Sequence, residues 1–470
     1  YKPETCHLES VCYAFKKRNQ IGGMDMELNE MLLNAVENKN VSELKELFGD
    51  HYPVDVATAL FEFEDEELAA LLNLLEAKEI AAIIEEAEEE LQQGMIGLLD
   101  SKKIVKFFAY MSPDDIADIL GTLGVGQRKE ILGMMKKSDS NEIQMLLGYG
   151  PDTAGGIMTT KYIALKSGLS MKDVLQEIRR IGPKTEIIET IFFFYNLNAL
   201  IGSADLRDIL ASAEDVSLEE IMNDNVLSVR PETDQEEVSL IVSKYDLKVI
   251  PVVNRRNAIL GIITIDDIID VIVEEQTEDL LMLSGVSKDE KVGNKISTSV
   301  VRRLPWLVIN LMTAFLASFT VGMFEDVIIQ VVALAAAMPI VTGMGGNAGS
   351  QTLSVVIRSI ALGEVDIKND WKYVFNEVGL GLINGSVTGL ITGIILYFRY
   401  DNFFLGLIIL IAMIGNLIIA GFFGFLIPLA LKKWDLDPAI SSSIFLTTAT
   451  DVFGFFLFLS LAKMFLPHLL

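Results

Sequence analysis

The sequence contains very little cysteine. Cys6 and Cys12 are the two cysteines in 470 residues, and both lie near the N-terminus. So few cysteines exclude a disulfide framework and favour a reducing compartment. Together with His7 they could bind a metal, but their spacing matches no standard pattern of zinc ligands. We therefore expect residues 1–23, which precede Met24 and have no apolar run of signal-peptide length, to be a disordered leader.

Motifs of common catalytic sites are missing as well. The three histidines lie far apart, at His7, His51 and His468. The sequence has no His-Glu-x-x-His motif and no Gly-x-x-x-x-Gly-Lys-Ser/Thr loop. These absences argue against a membrane-anchored protease or a kinase-like sensor, so we expect the protein not to be an enzyme.

Positive charge is scarce in one part of the chain. There are 38 Lys and Arg residues against 65 Asp and Glu, which gives a net charge of -27. Residues 301–470 hold ten acidic and nine basic residues, so the first 300 residues carry almost all of the imbalance. Such an acidic surface repels nucleic acid, and its natural counter-charges are metal cations or a basic partner. Plain solubility is the alternative explanation.

Residues 24–150 have the apolar spacing of helices. The spacing of Ile80 and Ile83 recurs 36 residues later at Ile116 and Ile119, with acidic residues between the apolar ones. A repeat of this length is typical of stacked helical hairpins. The pattern predicts an all-α superhelical N domain.

The next part of the chain alternates β-branched runs with short helices, which predicts an α/β fold. It also repeats, because the segment around Met158 recurs around Met222 at an offset of 64 residues. The repeat predicts two modules of nearly equal length, over 151–214 and 215–277.

Each module ends in a glycine, a short strand and an acidic helix start, at Gly202 and at Gly261. This pair resembles tandem CBS domains, whose strand-end Ser or Thr and Asp often hold an adenine nucleotide. Thr264 and Asp267 match those positions in the second module, so the resemblance leaves ATP binding open there. The first module departs from the pattern, with Asp205 where Ser or Thr is usual. Tandem CBS modules are regulatory more often than catalytic.

Long apolar segments follow a predicted linker helix over 278–303. A bilayer takes roughly 20 helical residues. We place five spans in an all-α transmembrane domain over 304–470, at 304–323, 327–357, 374–398, 403–431 and 440–465.

Basic residues indicate how these spans are oriented. One side has Arg302, Arg303, Arg358, Lys368, Lys372, Lys432 and Lys433, and the other has Arg399 and Lys463. The richer side is cytoplasmic by the positive-inside rule, which places the first 300 residues in the cytoplasm. We therefore expect a multi-pass protein of the plasma membrane, and an odd number of spans puts the C-terminus outside.

One carboxylate lies inside the last predicted span. Asp451 follows a run of threonines and is far in sequence from any basic residue. An ionisable group at that depth costs a few kcal/mol, so it must face a water-filled cavity or a partner. A protonated Asp bonded to a neighbouring helix is the alternative. Because Lys and Arg are absent from the middle of the spans, an anion or osmolyte path is disfavoured.

The second predicted span contains Pro339 and a glycine-rich run that reaches Gln351. We expect this run to interrupt the helical hydrogen bonds, which is tolerated only where protein or water covers the freed backbone. Close packing through small residues is the alternative. The amides of Asn347 and Gln351 favour a lined pore, to which Asn384 and Asn416 add polar atoms from two more spans.

Three motifs carry a close resemblance to a known family. They are Gly-Gly-Asn-Ala-Gly-Ser-Gln at 345–351, Asp-Pro-Ala at 437–439 and Thr-Asp-Val-Phe-Gly at 450–454, behind a helical domain and a CBS pair. By these motifs and this domain order, the chain resembles the MgtE family of magnesium channels over nearly its whole length from Met24. The resemblance implies a homodimer in lipid, in which Asp451 of each subunit faces its twin across one pore. It also implies that a largely hydrated Mg²⁺ binds there with help from a backbone oxygen near Thr447.

A second acidic cluster precedes the first span. Asp267, Asp270, Glu274 and Glu278 share one face of a helix by their spacing, and like charges there repel unless cations lie between them. A solvated helix face is the alternative. By resemblance, the cytosolic magnesium-sensing positions are Glu236, Asp246, Asp267, Asp270, Glu275, Glu278 and Asp279. Asp115 or Asp118 of the N domain would approach the CBS face.

The sequence thus predicts a magnesium-selective channel or transporter that imports Mg²⁺. The hypothesis for its regulation is that scarce cytosolic Mg²⁺ leaves the carboxylates unscreened, so that the soluble lobes separate and the linker helices release the pore. A CBS-regulated transporter of another divalent cation, such as Co²⁺ or Mn²⁺, remains the alternative.

Overall fold

The computed structural model describes residues 28–195, 198–213, 216–288, 290, 296–364, 371–434, 436–439 and 442–470. The predicted leader over 1–23 lies outside the described residues. The chain divides into two compact units, Tyr1–Val271 and Ile272–Leu470, and each is described by itself.

The first unit begins with short helices that start at a regular interval. After α1, which covers 28–37, these are α2 (Val41–Asp50), α3 (Pro53–Leu60), α4 (Asp65–Leu74), α5 (Ala77–Glu86), α6 (Glu89–Gly97), α7 (Ser101–Phe108), α8 (Pro113–Thr122), α9 (Val125–Met134) and α10 (Lys137–Leu146). From α2 onward, each helix begins 12 residues after the previous one, so three helices make up the 36-residue repeat. Helices pack on the helix two further along, as α3 does on α5 and α8 on α10. The predicted all-α superhelical domain is confirmed.

Acidic residues help to start these helices. The carboxylates of Glu67 and Glu79 accept hydrogen bonds from the backbone N–H groups of Glu64 and Glu76, which precede α4 and α5. Asp100 accepts from the backbone N–H of Lys103 at the start of α7. Negative charge at a helix N-terminus also interacts favourably with the helix dipole. Part of the acidic excess therefore stabilises the helices that carry it.

Two small sheets complete the first unit. The first has the order β1 (Ile163–Lys166), β2 (Thr190–Tyr195), β3 (Ala199–Asp205), with β1 parallel to β2 and β2 antiparallel to β3. The second is an antiparallel pair, β4 (Val249–Val253) and β5 (Ile259–Thr264). The accompanying helices are α11 (Met171–Ile181), α12 (Leu206–Ala211), α13 (Leu218–Ile221), α14 (Gln235–Tyr245) and α15 (Ile265–Leu283), with a 3-10 turn at Gly182–Lys184. The boundary between the two units falls within α15.

The two modules exchange their leading segments. Thr159, which precedes the first module's strands, bridges to Ile262 on β5. Asn223 lies 64 residues later and bridges to Ser203 on β3. Each module therefore completes the other's sheet, and the predicted tandem α/β pair is confirmed.

A glycine in each sheet makes room for this exchange. A Cβ added at Gly202 would collide with the side chain of Met222, and one at Gly261 would lie 2.9 Å from Sδ of Met158. The 64-residue repeat around the two methionines thus reflects two equivalent packing contacts, Met158 on Gly261 and Met222 on Gly202. A side chain at either glycine would open the seam between the modules.

The second unit is helical. After the last part of α15 it contains α16 (Ile296–Gly322), α17 (Glu325–Gln330), α18 (Ala333–Ala361), α19 (Trp371–Tyr400), α20 (Phe403–Lys433), α21 (Ser442–Met464) and α22 (Leu466–Leu469). Within the described parts of the chain, four helices are long and apolar enough to cross a membrane: Ile296–Gly322, Lys372–Tyr400, Phe403–Lys433 and Ser442–Met464. The helix α18, which contains most of the predicted second span, is not among these four, so the count of five spans stays a prediction.

Two boundaries differ from the expected ones. The helix α16 runs without a break through residue 303, where the predicted linker ended and the first span began. The predicted second span is divided between α17 and α18.

The glycine-rich run does not interrupt α18. Pro339 lies inside the helix, and the residues on both sides of it are helical. Proline removes one backbone hydrogen bond, whereas unwinding the run would leave many polar groups without partners in hydrocarbon. The expectation of a broken helix is therefore not met, because an α-helix satisfies its backbone polar groups internally and loses only one hydrogen bond at Pro339.

Glycine also governs the contact between α19 and α20. Four glycines follow one another at every fourth position of α19, at Gly381, Gly385, Gly389 and Gly393. A Cβ at Gly385 would lie 2.7 Å from Cα of Ile414, and one at Gly393 would lie 2.7 Å from the carbonyl oxygen of Gly406. Residues four apart lie on one face of a helix, so the two backbones touch along this row.

We expect Gly385→Ala to lower the thermal stability of the detergent-purified protein. The added methyl group must push α19 away from α20, and overpacking of this kind typically costs about 1–3 kcal/mol. The measurement is the midpoint of thermal unfolding. Gly379→Ala is the matched control on the same helix, since nothing lies within 4 Å of its Cβ position. Equal midpoints for the two variants would contradict close backbone contact in this row.

Candidate functional site

A group of carboxylates begins at the start of α8. The hydroxyl of Ser112 donates hydrogen bonds to Asp114 at 2.6 Å and to Asp115 at 2.9 Å. Asp118 follows one turn later on the same helix. The helix dipole favours the two acidic residues of the first turn, Asp114 and Asp115, which helps to explain why they can lie so close together.

Asp267 lies in the first turn of α15, directly after β5. The buried hydroxyl of Thr264, the last residue of β5, donates to Oδ2 of Asp267 at 2.5 Å. Burial, together with the charges of Asp266 and Asp114, raises the pKa of Asp267 to about 6, although the hydrogen bond from Thr264 acts to lower it. The turn between β5 and α15 thus holds the carboxylate of Asp267 near other carboxylates, including that of Asp114 on α8.

The structure brings the predicted residues of α8 and α15 together. Burial raises the pKa of Asp115 to about 6 and that of Asp118 to about 7. Neighbouring aspartates of α8 raise both values, and so does Asp267. Like charges are therefore held near one another across the two helices.

Two members of this group were missed by the sequence reasoning. Burial raises the pKa of Glu85 on α5 to about 7, with the Asp115 charge as the next cause. Burial raises the pKa of Glu186, which precedes β2, to about 8, with Asp114 as the next cause, although Glu186 accepts from Thr159 Oγ1 at 2.8 Å. No local spacing marks either residue, because tertiary packing brings them here. We call Glu85, Asp114, Asp115, Asp118, Glu186 and Asp267 the carboxylate cluster.

Three other predicted sensing residues lie on helices of the CBS pair. Glu236 is near the start of α14, where its backbone N–H donates to Asp234 at 2.9 Å, and Asp246 caps the other end in a left-handed conformation. Ten residues of helix separate the two by about 15 Å, so one chain cannot place both on the same ion. Asp270 is exposed on α15, one turn after Asp267.

The remaining predicted sensing residues belong to the second unit. Glu275, Glu278 and Asp279 lie on the last turns of α15. Burial raises the pKa of Asp279 to about 6, and the charges of Asp437 and Glu278 contribute to this increase. Glu278 also forms an ion pair with Lys288 at 3.2 Å. Asp437 belongs to the Asp-Pro-Ala motif, for which the sequence predicted no role, and the structure places it near Asp279, a predicted metal position.

None of these groups is a closed metal site. Among the residues that the structure describes, no three Asp, Glu, His or Cys side chains are arranged to hold a metal ion. Their donor chemistry still suits Mg²⁺, because carboxylate oxygens are the ligands that hard divalent cations prefer. An ion that keeps most of its water needs fewer direct protein ligands.

Asp451 is half-buried on α21, and the threonines before it bond to the helix backbone. The hydroxyl of Thr447 donates to the carbonyl oxygens of Ser443 at 2.9 Å and Ile444 at 3.1 Å. The hydroxyl of Thr450 donates to the carbonyl oxygen of Thr447 at 3.0 Å. These two hydroxyls are thus engaged with the backbone.

The helix α18 presents two different faces. Its exposed face carries a polar row formed by Gly343, Asn347, Ser350, Gln351 and Ser354. Its buried face carries Gly345 and Gly349, whose added Cβ atoms would collide with Asn416 and Leu446. The buried face therefore fits the interpretation of close packing through small residues. That the exposed face lines a pore stays a prediction.

Asn416 does not lie on an exposed face. Its side chain is completely buried, and Nδ2 donates to the carbonyl oxygen of Val341 at 2.8 Å. We expected Asn416 to line the pore, whereas the structure places it between helices.

A further carboxylate inside a long apolar helix was missed. Glu377 on α19 is half-buried and accepts a hydrogen bond from Thr352 on α18 at 2.8 Å. Its position six residues after the helix start made it look like part of the flank. The hydroxyl partner shows that it faces a neighbouring helix.

We expect Asp118→Asn to stabilise the protein at pH 8 and to change little at pH 5, both without divalent cations. Folding raises the pKa of Asp118 from its ordinary value near 4 to about 7, so stability is lost as the pH rises between these values. Removing the charge should restore about 1 kcal/mol. The effect is modest because the side chain, although desolvated by its neighbours, still reaches solvent, which screens its charge. Thermal unfolding of the full chain in detergent measures the effect.

Glu46→Gln on α2 is the matched control for this pH experiment, because Glu46 is exposed and lies outside the carboxylate cluster. It should leave the stability unchanged at both pH values. A stabilisation by Asp118→Asn that is the same at pH 5 and pH 8 would contradict charge repulsion as the cause.

Three family models match this chain. A divalent cation transporter model, MgtE, matches residues 338–461, the MgtE intracellular N domain matches 51–152, and the CBS domain matches 218–274. The cation transporter model thus includes the polar row of α18 and Asp451. The CBS model matches the second module, which is the one that fits the CBS pattern better.

Relatives and solved structures agree with these models. The chain is 30% identical to the magnesium transporter MgtE of Bacillus subtilis (strain 168), over 95% of this chain and 99% of the relative. It is 32% identical to the magnesium transporter MgtE of Thermus thermophilus, over 94% and 99%. A crystal structure of the soluble part of a magnesium transporter matches with a TM-score of 0.50 at 28% identity, over 53% of this chain and 99% of that one. A cytosolic domain of the Mg²⁺ channel MgtE in complex with ATP matches with a TM-score of 0.49 at 29% identity, over 52% and 99%.

The resemblance drawn from the motifs is therefore confirmed. Since the likeness to these relatives extends over almost the whole of both chains, the chain belongs to the MgtE family of magnesium transporters.

Proposed function

We propose that this protein is a channel or transporter that imports Mg²⁺ across the plasma membrane and is closed by cytosolic Mg²⁺. The observation that carries the proposal is Asp451, a half-buried carboxylate within a long apolar helix of a chain that belongs to this family. A carboxylate at that depth is stable only beside water, a cation or a polar partner. A cation pathway supplies the first two.

The polar row of α18 supports a pore between two copies of the chain. Amides and hydroxyls on the exposed face of a membrane helix must be covered by protein or water. A second copy would provide both, if the two rows faced each other across a water-filled path. The assembly we propose is a homodimer in which Asp451, Asn347 and Gln351 of both subunits line the path.

The chemistry of these residues fits a hydrated ion. Mg²⁺ gives up its water reluctantly and demands nearly octahedral coordination. Amide oxygens and carboxylates spaced around a path can accept hydrogen bonds from the water shell without replacing it. The carbonyl oxygen of Thr447, which accepts a hydrogen bond from the Thr450 hydroxyl, is likewise proposed to contact the ion through its water shell. Co²⁺ and Mn²⁺ hydrates have similar shapes and remain the alternative cargo.

Gating is proposed to act through the carboxylate cluster. The raised pKa values of Asp115, Asp118 and Asp267 reflect desolvation plus mutual repulsion between α8 and the CBS pair. Cytosolic Mg²⁺ would relieve that repulsion and hold the N domain on the CBS pair. Without Mg²⁺ the two would separate, and α15, which continues into the second unit, would carry the change onward.

Several weak sites would make this response steep. Each bound ion favours the closed form only by the difference between its affinities for the two forms, and the contributions of separate ions add. Further ions are proposed to bind at Glu236, Asp246 and Asp270. Another is proposed to bind between Asp279 and Asp437, with Glu275 and Glu278 as additional ligands.

ATP binding at the CBS pair stays open. Thr264 and Asp267 are the residues proposed to hold it, and they are already hydrogen-bonded to each other. Because Asp267 also belongs to the carboxylate cluster, a nucleotide there and the ions of the cluster would influence each other.

We expect Asp451→Ala to abolish Mg²⁺ uptake. Removing the carboxylate leaves the path without its fixed negative charge, so transport should fall by at least about tenfold. Proteoliposomes that contain a magnesium-sensitive dye measure this, with low Mg²⁺ on the side of the soluble unit. Glu325→Ala is the matched control, because Glu325 is an exposed acidic residue of the second unit on the short helix α17. Uptake by the Asp451 variant at the unmodified rate would remove the proposed ion path.

We expect the double variant Asp267→Asn, Asp270→Asn to stay open at Mg²⁺ concentrations that close the unmodified protein. The loss of two carboxylates weakens cation binding in the closed form, which should raise the closing concentration by about tenfold for each 1.4 kcal/mol lost. Patch recordings with varied Mg²⁺ on the soluble side measure this. Glu219→Gln with Glu232→Gln is the control pair, as both side chains are exposed on the same modules. Unchanged closing in the test variant would refute gating through these residues.

A further inference from the structure

Asn416 is a buried amide in an otherwise apolar helix. It lies near the middle of α20, and its side chain has no exposed surface. Its Nδ2 donates across to α18, to the carbonyl oxygen of Val341 at 2.8 Å. The residue therefore links two helices and does not face the exterior of the chain.

Glycines on two helices make room for this amide. A Cβ at Gly345 on α18 would lie 2.9 Å from Cγ of Asn416, and one at Gly454 on α21 would lie 2.6 Å from its Oδ1. Real Cβ atoms do not approach other atoms so closely. The amide is thus in direct contact with the backbones of both neighbouring helices.

These contacts adjoin the residues of the proposed ion path. Gly345 is two residues before Asn347, and Gly454 is three residues after Asp451. One side chain on α20 therefore sets the distance between the backbones that carry an amide and a carboxylate of the path.

The amide of Asn416 fills this space at a cost in stability. Within the described structure, Oδ1 of Asn416 is buried and has no hydrogen-bond partner. A buried oxygen left in this state costs stability, which offsets what the hydrogen bond to Val341 contributes, and an apolar side chain of the same shape would avoid the cost and lose the bond. Stability alone does not account for an asparagine at this position.

We infer that Asn416 is a positioning residue that fixes the spacing of α18 and α21 and so aligns Asn347 with Asp451. The inference rests on the proposed function and assigns Asn416 no contact with the ion. The donation to Val341 fixes α18, and the contact of Oδ1 with Gly454 fixes α21. Displacements of about 1 Å are enough to disturb a site that depends on the alignment of several groups.

The first test replaces the amide and keeps the volume. We expect Asn416→Leu to fold with equal or higher thermal stability, but to lower Mg²⁺ uptake by about tenfold and to change the ratio of Mg²⁺ to Ca²⁺ uptake. A purely structural residue would alter stability without altering selectivity. Unmodified uptake and selectivity in a folded Asn416→Leu protein would overturn the inference.

The second test uses the glycines. We expect Gly454→Ala to reduce uptake because its methyl group collides with Oδ1, and Asn416→Ala to remove that collision. The double variant should then be no worse than Asn416→Ala alone. Gly346→Ala is the matched control, since the nearest atom to its Cβ position is Thr447 Cγ2 at 4.0 Å. Independent, multiplying losses in the double variant would contradict a contact between the two residues.

A third measurement does not depend on transport. Spin labels on Ser354→Cys and Phe445→Cys report the distance between α18 and α21 in a background with Cys6 and Cys12 replaced by Ser, diluted with unlabelled protein. Asn416→Leu should shift or broaden this distance, and Gly346→Ala should not. An unchanged distance overturns the positioning role. A changed distance in a protein that never transports Mg²⁺ would instead show that the proposed function fails while the positioning role holds.

Discussion

A helix in hydrocarbon must satisfy its backbone polar groups within itself, and the second unit depends on this constraint. It explains why α18 stays helical through Pro339 and the glycine-rich run. It also explains why the helices approach each other so closely. With little hydrophobic driving force between helices in lipid, contact between backbones is what holds them together, and glycine is the residue that permits it.

The same constraint separates the roles of the two faces of α18. Glycines on the buried face contact Asn416 and Leu446. The polar side chains on the other face would lose free energy in an apolar environment unless they found hydrogen-bond partners. Packing and polarity are thus divided within one turn of helix. A substitution on the buried face should change the spacing of helices, whereas one on the exposed face should change what the proposed path presents to an ion.

The parts of the fold that depend on local periodicity could be predicted from the sequence. The helical spacing of residues such as Ile80 and Ile116 indicated the N domain, and the 64-residue repeat indicated the paired modules. The interval of 12 residues between helix starts was not recognised, because consecutive helices do not share one pattern of buried positions. Their number varies from one in α2 to five in α8, so the longer 36-residue repeat is the one visible in the sequence. The run around Pro339 was misjudged because composition alone does not show what surrounds a backbone.

The candidate site was predictable only where a motif marked it. Asp115, Asp118 and Asp267 were identified by resemblance, and the structure brings them together, while Glu85 and Glu186 reach the same cluster through tertiary packing. Asn416 shows the limit most clearly. Its membership of an apolar segment is visible in the sequence, but whether it faces a path or a glycine depends on the relative rotation of three helices.

The carboxylate cluster and the buried amide of Asn416 have one property in common, which is that each costs folding free energy. Holding like charges near one another in the carboxylate cluster costs folding free energy, and a monovalent ion recovers less of it than a divalent ion does, because the attraction scales with the charge of the ion. A buried amide with an unsatisfied oxygen likewise costs free energy in the membrane. Neither feature improves the stability of the chain. Both are explained if what the sequence maintains is a particular geometry of oxygen atoms around a small, doubly charged and strongly hydrated ion.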